Sequence, residues 1–154
     1  ATPGFEKAPT VVLQGHLDMV CEKNSDVDFD FSCDAIDAHV EDGWVTATGT
    51  TLGADNGIGM AAALAVMDDK DAIHGPLELL FTTDEETGLN GANSLQPGFL
   101  KGRILLNLDS EEEGAFSIGC AGGADCEIVL SVKRENAPGG TGYKIMLSGL
   151  RGGH

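Results

Sequence analysis

Basic side chains are scarce: nine Lys and Arg stand against 25 Asp and Glu, a formal charge of −16 over 154 residues. Such a surface repels phosphate backbones and anionic membrane faces, so nucleic acid is not an expected partner. Long apolar runs are also missing. Met60–Met67 and Leu77–Phe81 fall far short of the ~20 residues a membrane span needs, and no membrane partner is expected. There is no basic start followed by an apolar core and a small-residue cleavage site, so no secretion signal is visible and a cytoplasmic location is expected. The four cysteines, Cys21, Cys33, Cys120 and Cys126, are too sparse for a disulfide scaffold and lack the Cys-x-x-Cys spacing of a structural zinc site. They read as buried or partly buried thiols in a reducing cytosol.

The length suits one domain, or one domain plus a piece of another. Residues 1–10 carry no start signal and Arg151-Gly152-Gly153-His154 closes nothing, so a piece of a longer protein is expected. Thr10–Gln14 is a short β-branched and apolar run that reads as a buried strand, followed by Gly15-His16-Leu17-Asp18. Residues 22–42 are a polar, acidic excursion without helical period. Gly43–Thr48 reads as a strand with Trp44 as a partly buried anchor, and a helix rich in Ala, Leu and Met is expected from about Gly57 to Met67. Pro76–Thr82 reads as a second buried strand ending at Asp84-Glu85-Glu86. A short polar helix or loop over Gly88–Gly98 leads to a third strand, Arg103–Leu108, ending at Asp109. Strand, helix, strand, helix or loop, strand is the order of an α/β fold with a mostly parallel sheet. Ligands in such sheets gather at the C-terminal strand ends, where three of the acidic clusters fall. Beyond Gly122-Gly123, Ala124–Lys133 and Tyr143–Leu150 alternate apolar with polar residues, as half-exposed antiparallel strands do. A domain boundary is expected near residue 123.

The stretch Thr50–Ala65 places one carboxylate, Asp55, at the mouth of a glycine-rich turn that runs into the helix. His16 and Asp18 lie two residues apart, so on an extended segment both side chains point the same way, and an imidazole can bind metal while a carboxylate orients it. Alone, that tripeptide more often marks an ordinary hydrogen bond. Glu85 and Glu86 are adjacent and their side chains diverge, which suits one for metal and the other for a water as base. An acidic turn in solvent is the plain alternative, and Glu111–Glu113 beyond Asp109 read as a charged loop. Together, these loops are read as converging on a pair of divalent metal ions bridged by Asp55, with donors of the type zinc accepts. Two rivals are weaker. Gly57-x-Gly59-x-x-Ala62 with Glu78 about twenty residues on fits a dinucleotide pattern, but no buried strand immediately precedes Gly57 and Asp55 would face the pyrophosphate with like charge. Asp26, Asp28 and Asp30 alternate as in a calcium loop, yet Phe31 replaces the required glycine and Asp37 the final Glu.

In order and spacing, QGHLDMV, GTTLGADNGIGMA, TDEETG, NLDSEEEG and CAGG resemble the co-catalytic zinc exopeptidase family that includes carnosinases, carboxypeptidase G and acylases. The resemblance runs over nearly the whole chain. It implies that residues 1–122 belong to a metallopeptidase catalytic domain and residues 123–154 to the beginning of an α+β lid and dimerisation domain. It further implies that His16 and Asp109 hold one metal ion, Glu86 the other, and Asp55 both, the ions being zinc, or manganese or cobalt in its place. Asp18 would orient His16, Glu85 would be the general base, the Asp55–Asn56 peptide would be cis, and His154 would stabilise the reacting carbonyl. The implied activity is hydrolysis of small peptides, dipeptides of the aminoacyl-histidine kind, by a protein that is a homodimer at full length. A deacylase or carboxypeptidase on the same scaffold is the alternative. The family completes its second metal site with a histidine far beyond residue 154, and His39 and His74 sit in the wrong contexts to replace it. The chain by itself is therefore expected to be an inactive, metal-binding piece.

Overall fold

The computed structural model describes residues 1–110, 112–119, 126–136, 139–146 and 148–149. Two compact units divide the chain, Ala1–Ser117 and Ile118–His154. The first is built on a three-stranded parallel sheet. Strand β1 (Val11–His16), hairpin strands β2 (Ala38–Glu41) and β3 (Trp44–Ala47), helix α1 (Ala54–Asp68), strand β4 (Leu77–Thr82), the single turn α2 (Asn90–Asn93) and strand β5 (Ile104–Asn107) follow in order. The sheet order is β4-β1-β5, with β1 parallel to both neighbours.

The Val-Val-Leu run explains why β1 is central. Val12 and Leu13 are buried and, with Ala63 of α1 and Leu80 of β4, make the apolar core. Helix α1 lies on β1 through Asn56, Gly59 and Ala63, the residues it buries. Their spacing of three and four keeps them on one face, and their small size lets the helix come close. Its other faces remain apolar and open, with Ile58 69% and Met67 64% exposed. Asp55 and Asn56 have non-helical backbone angles, so regular helix runs from Gly57. The peptide joining those two residues is cis, as the family resemblance implies.

Several expectations need correction. The excursion over residues 22–42 is not wholly irregular: Ala38–Glu41 pairs antiparallel with β3. The turn between them is Asp42-Gly43, both with positive φ (51° and 83°), as a tight two-residue hairpin requires. Trp44 is no anchor. It lies on that open hairpin and is 77% exposed. Cys21, Cys33 and Cys126 are free thiols at the surface rather than buried ones, because none falls on a core-facing position of β1, β4 or α1. Cys120 lies outside the described residues. The described parts of Ala124–Lys133 and Tyr143–Leu150 form no strands. Ile128, Leu130 and Ile145 there are 80–94% exposed, and a hairpin with nothing against its apolar face is marginal in water.

Candidate functional site

Parallel register brings three loops to one end of the sheet. His16, the last residue of β1, pairs with Thr82, the last of β4. Gln14 pairs with Asn107, the last of β5, and the Leu108 amide still donates to the Gln14 carbonyl at 2.8 Å. Asp84–Glu86 and Asp109 therefore leave the sheet beside His16.

The His16 ring is buried, at 1% exposure, and both nitrogens are engaged. Nδ1 lies 2.9 Å from the Asp18 backbone oxygen; a carbonyl can only accept, so Nδ1 carries the hydrogen. Nε2 points at two carboxylates, 3.0 Å from Asp55 Oδ1 and 3.6 Å from Asp109 Oδ1. A neutral ring would turn its lone pair on theirs. Either a proton or a cation must sit there. Burial disfavours the imidazolium, but the hydrogen bond to Asp55 and the field of Asp109 outweigh it and raise the His16 pKa.

The carboxylates show the same need. Burial, offset in part by His16 and reinforced by the hydrogen bond and charge of Asp55, pushes Asp109 up to about 6. Burial together with Asp55 and Glu85 also raises Glu86. Like charges have been gathered at partly desolvated positions, which is costly unless something positive joins them. One ligand atom each from His16, Asp55 and Asp109 lies within 4.8 Å of the others, and the same holds for His16, Glu85 and Glu86. Nitrogen and carboxylate donors at such spacing fit a divalent cation of the zinc type.

Asp18 holds the second cluster in place. Its two oxygens accept the Glu85 and Glu86 backbone N–H groups, each at 3.1 Å. Burial would raise its pKa, but those two bonds win and hold it below the usual carboxylate range. Its carboxylate is 3.5 Å from His16 Nδ1, farther than its own backbone oxygen. Asp84 takes a positive φ of 53°, turning the chain sharply after β4. Bonds from the Leu89 and Asn90 amides to the Glu85 and Asp84 carbonyls close that turn.

Asp55, Glu85, Glu86, Asp109, His16 and Asp18 are thus gathered at one sheet end. His154 lies outside the described residues. His39 and His74 are occupied locally, His39 by the Asp37 carbonyl and Glu41 and His74 by the Gly75 carbonyl. One residue of the site escaped sequence reasoning. Asn56, 2% exposed, donates from Nδ2 to the Leu108 carbonyl at 2.8 Å and to Asp109 Oδ1 at 2.9 Å. Its only sequence signal is its place directly after Asp55. A cavity of about 330 Å³ opens beside Asp55, Ile58 and Asp109.

Known proteins share this arrangement of sequence. The profile of peptidase family M20/M25/M40 matches residues 12–142. The cytosol non-specific dipeptidase of Escherichia coli (strain K12) is 54% identical over 155 aligned residues, which take in the whole of this chain and 32% of that protein. The uncharacterized protein YqjE of Bacillus subtilis (strain 168) is 32% identical over 70% of this chain and 28% of its own length. Among solved structures, the aminoacylhistidine dipeptidase from Vibrio alginolyticus superposes with a TM-score of 0.71 at 60% identity, over 74% of this chain and 23% of that one. The chain spans about a third of the length of the E. coli relative. With a matched region that contains every one of the converging residues just described, the chain belongs to peptidase family M20/M25/M40.

Proposed function

We propose that the protein hydrolyses dipeptides of the aminoacyl-histidine type at a centre of two divalent ions, zinc first among them and manganese or cobalt as substitutes. One observation carries this reading: the buried His16 Nε2 faces Asp55 and Asp109 across 3.0 and 3.6 Å, an arrangement of donors that a divalent cation would satisfy in place of a proton. His16 and Asp109 would hold one ion, Glu86 the other, and Asp55 would serve both. Bound there, the pair would supply a Lewis acid for the scissile carbonyl and acidify a water. Glu85 takes the proton from the attacking water at its carboxylate and delivers it to the leaving amine nitrogen. Asp18 serves both sides, fixing the Glu85–Glu86 turn through two backbone N–H bonds and lying against the ring of His16. His154 is assigned the stabilisation of the reacting carbonyl. Residues 1–122 belong to the catalytic domain and residues 123–154 to a lid and dimerisation domain of a homodimer. The name of the E. coli relative supports a cytosolic setting, and no described helix is long and apolar enough to cross a membrane.

The test uses the full-length protein with dipeptides ending in histidine and added zinc or manganese. Glu85→Gln should abolish turnover while metal stays bound. Loss of metal in that variant, or undiminished turnover, refutes the role given to Glu85.

A further inference from the structure

Asn56 bonds to Asp109, one of the three residues grouped at His16 Nε2, without being one of that group itself. It follows Asp55 in the chain, yet its side chain reaches across to the loop after β5. Nδ2 spends both hydrogens there, on the Leu108 carbonyl and on Asp109 Oδ1. The Leu108 carbonyl can only accept, so the amide can sit only one way round. Among the described residues its Oδ1 has no hydrogen-bond partner, an arrangement that is unfavourable for a buried acceptor.

The surroundings show why the amide stays. A Cβ on Gly15 of β1 or on Gly59 of α1 would run into Asn56 Oδ1, and one on Gly59 would also come within 2.6 Å of the Leu108 oxygen. Two elements, β1 and α1, are therefore pared back to backbone around one side chain. The oxygen it bonds, Asp109 Oδ1, is the same oxygen that lies 3.6 Å from His16 Nε2.

We propose that Asn56 is a positioning residue: its amide, wedged between Gly15 and Gly59, holds Asp109 Oδ1 toward His16 and so presets this pair of ligands for a cation. The inference rests on the metal-centre reading above. A hydrogen bond from a neighbour to a ligating carboxylate fixes its orientation before metal arrives, and loss of such a partner commonly weakens affinity 10–100-fold.

Zinc affinity of the full-length protein, measured by competition with a chromogenic chelator, tests this without reference to turnover. Asn56→Leu keeps the shape and removes both donated bonds. It should weaken zinc binding about 10–100-fold, whereas Leu80→Ala, a core change on the sheet, should lower the melting temperature and leave the affinity of the folded protein unchanged. Unchanged affinity in Asn56→Leu, with only the melting temperature reduced, overturns the inference and leaves Asn56 a plain structural tie. Should that variant fail to fold, Asn56→Ser, whose hydroxyl is too short to span both acceptors, puts the same question with the same two outcomes. Asp109→Asn separates the two levels. If wild type binds no zinc, or Asp109→Asn binds it as tightly as wild type, the metal-centre reading fails and this inference with it.

Discussion

Replacing Asp18 with Asn is the sharpest probe of how the Glu85–Glu86 turn is held. The carboxylate accepts two backbone N–H groups, each at 3.1 Å, and bonds to a charged acceptor contribute about 1.5–3 kcal/mol each. The amide keeps one acceptor oxygen and turns its NH2 toward the other backbone N–H, so one bond is lost and a donor faces a donor. At 24% exposure of the Asp18 side chain, water recovers part of that loss. A net deficit of about 2 kcal/mol at pH 7 is expected in urea unfolding. The pH dependence follows from the lowered pKa of Asp18. A carboxyl depressed on folding adds stability above its unfolded value, and that stability disappears as the pH falls through the folded pKa. The gap between wild type and Asp18→Asn should therefore close on acidification below about pH 4, near the unfolded carboxyl pKa. Faster hydrogen exchange at the Glu85 and Glu86 amides should accompany the loss. A variant as stable as wild type at pH 7, or a deficit that persists unchanged to pH 3, refutes the argument.

Two more outcomes are expected. Gly15→Ala should cost about 1–3 kcal/mol in thermal unfolding, because the new methyl meets the buried Asn56 amide, while Gly57→Ala, with nothing within 4 Å of its Cβ, should be neutral or gain up to about 1 kcal/mol. In the absence of metal, carbon NMR of the Asp109 carboxyl should show a midpoint of about 6. Since that pKa is raised on folding, the contribution to stability is full below the unfolded value and is lost as pH rises through about 6. Asp109→Asn should flatten that segment of the stability profile, and a midpoint near 4 would count against the crowding of charges described for the site.

Much of this could be read from residue order. Val11–Leu13, Leu79–Phe81 and Ile104–Leu106 are short apolar runs, and a histidine or an acid stands three residues beyond each, so the parallel sheet and the clusters at its tips were visible together. The hairpin was harder. Ala38–Glu41 is exposed on both faces, and its two apolar residues, Ala38 and Val40, alternate with His39 and Glu41 over only four positions, too short a run to mark a strand without the Asp42-Gly43 turn. Trp44 misled because an aromatic residue implies burial only where a second layer covers it, and nothing described covers β3. Asn56 was hidden for a different reason. Its importance comes from a partner more than fifty positions away, and from two glycines that matter for the side chain they omit.

The donors arranged around His16 come from separate loops, each delivered by a different element of the first compact unit. No short peptide cut from this chain could reproduce that arrangement of donors, because the geometry is a property of the finished sheet. On the proposed metal centre, cation uptake and folding would be one equilibrium seen from two sides: saturating metal should raise the unfolding temperature, a strong chelator should lower it, and protons should leave as the ion arrives.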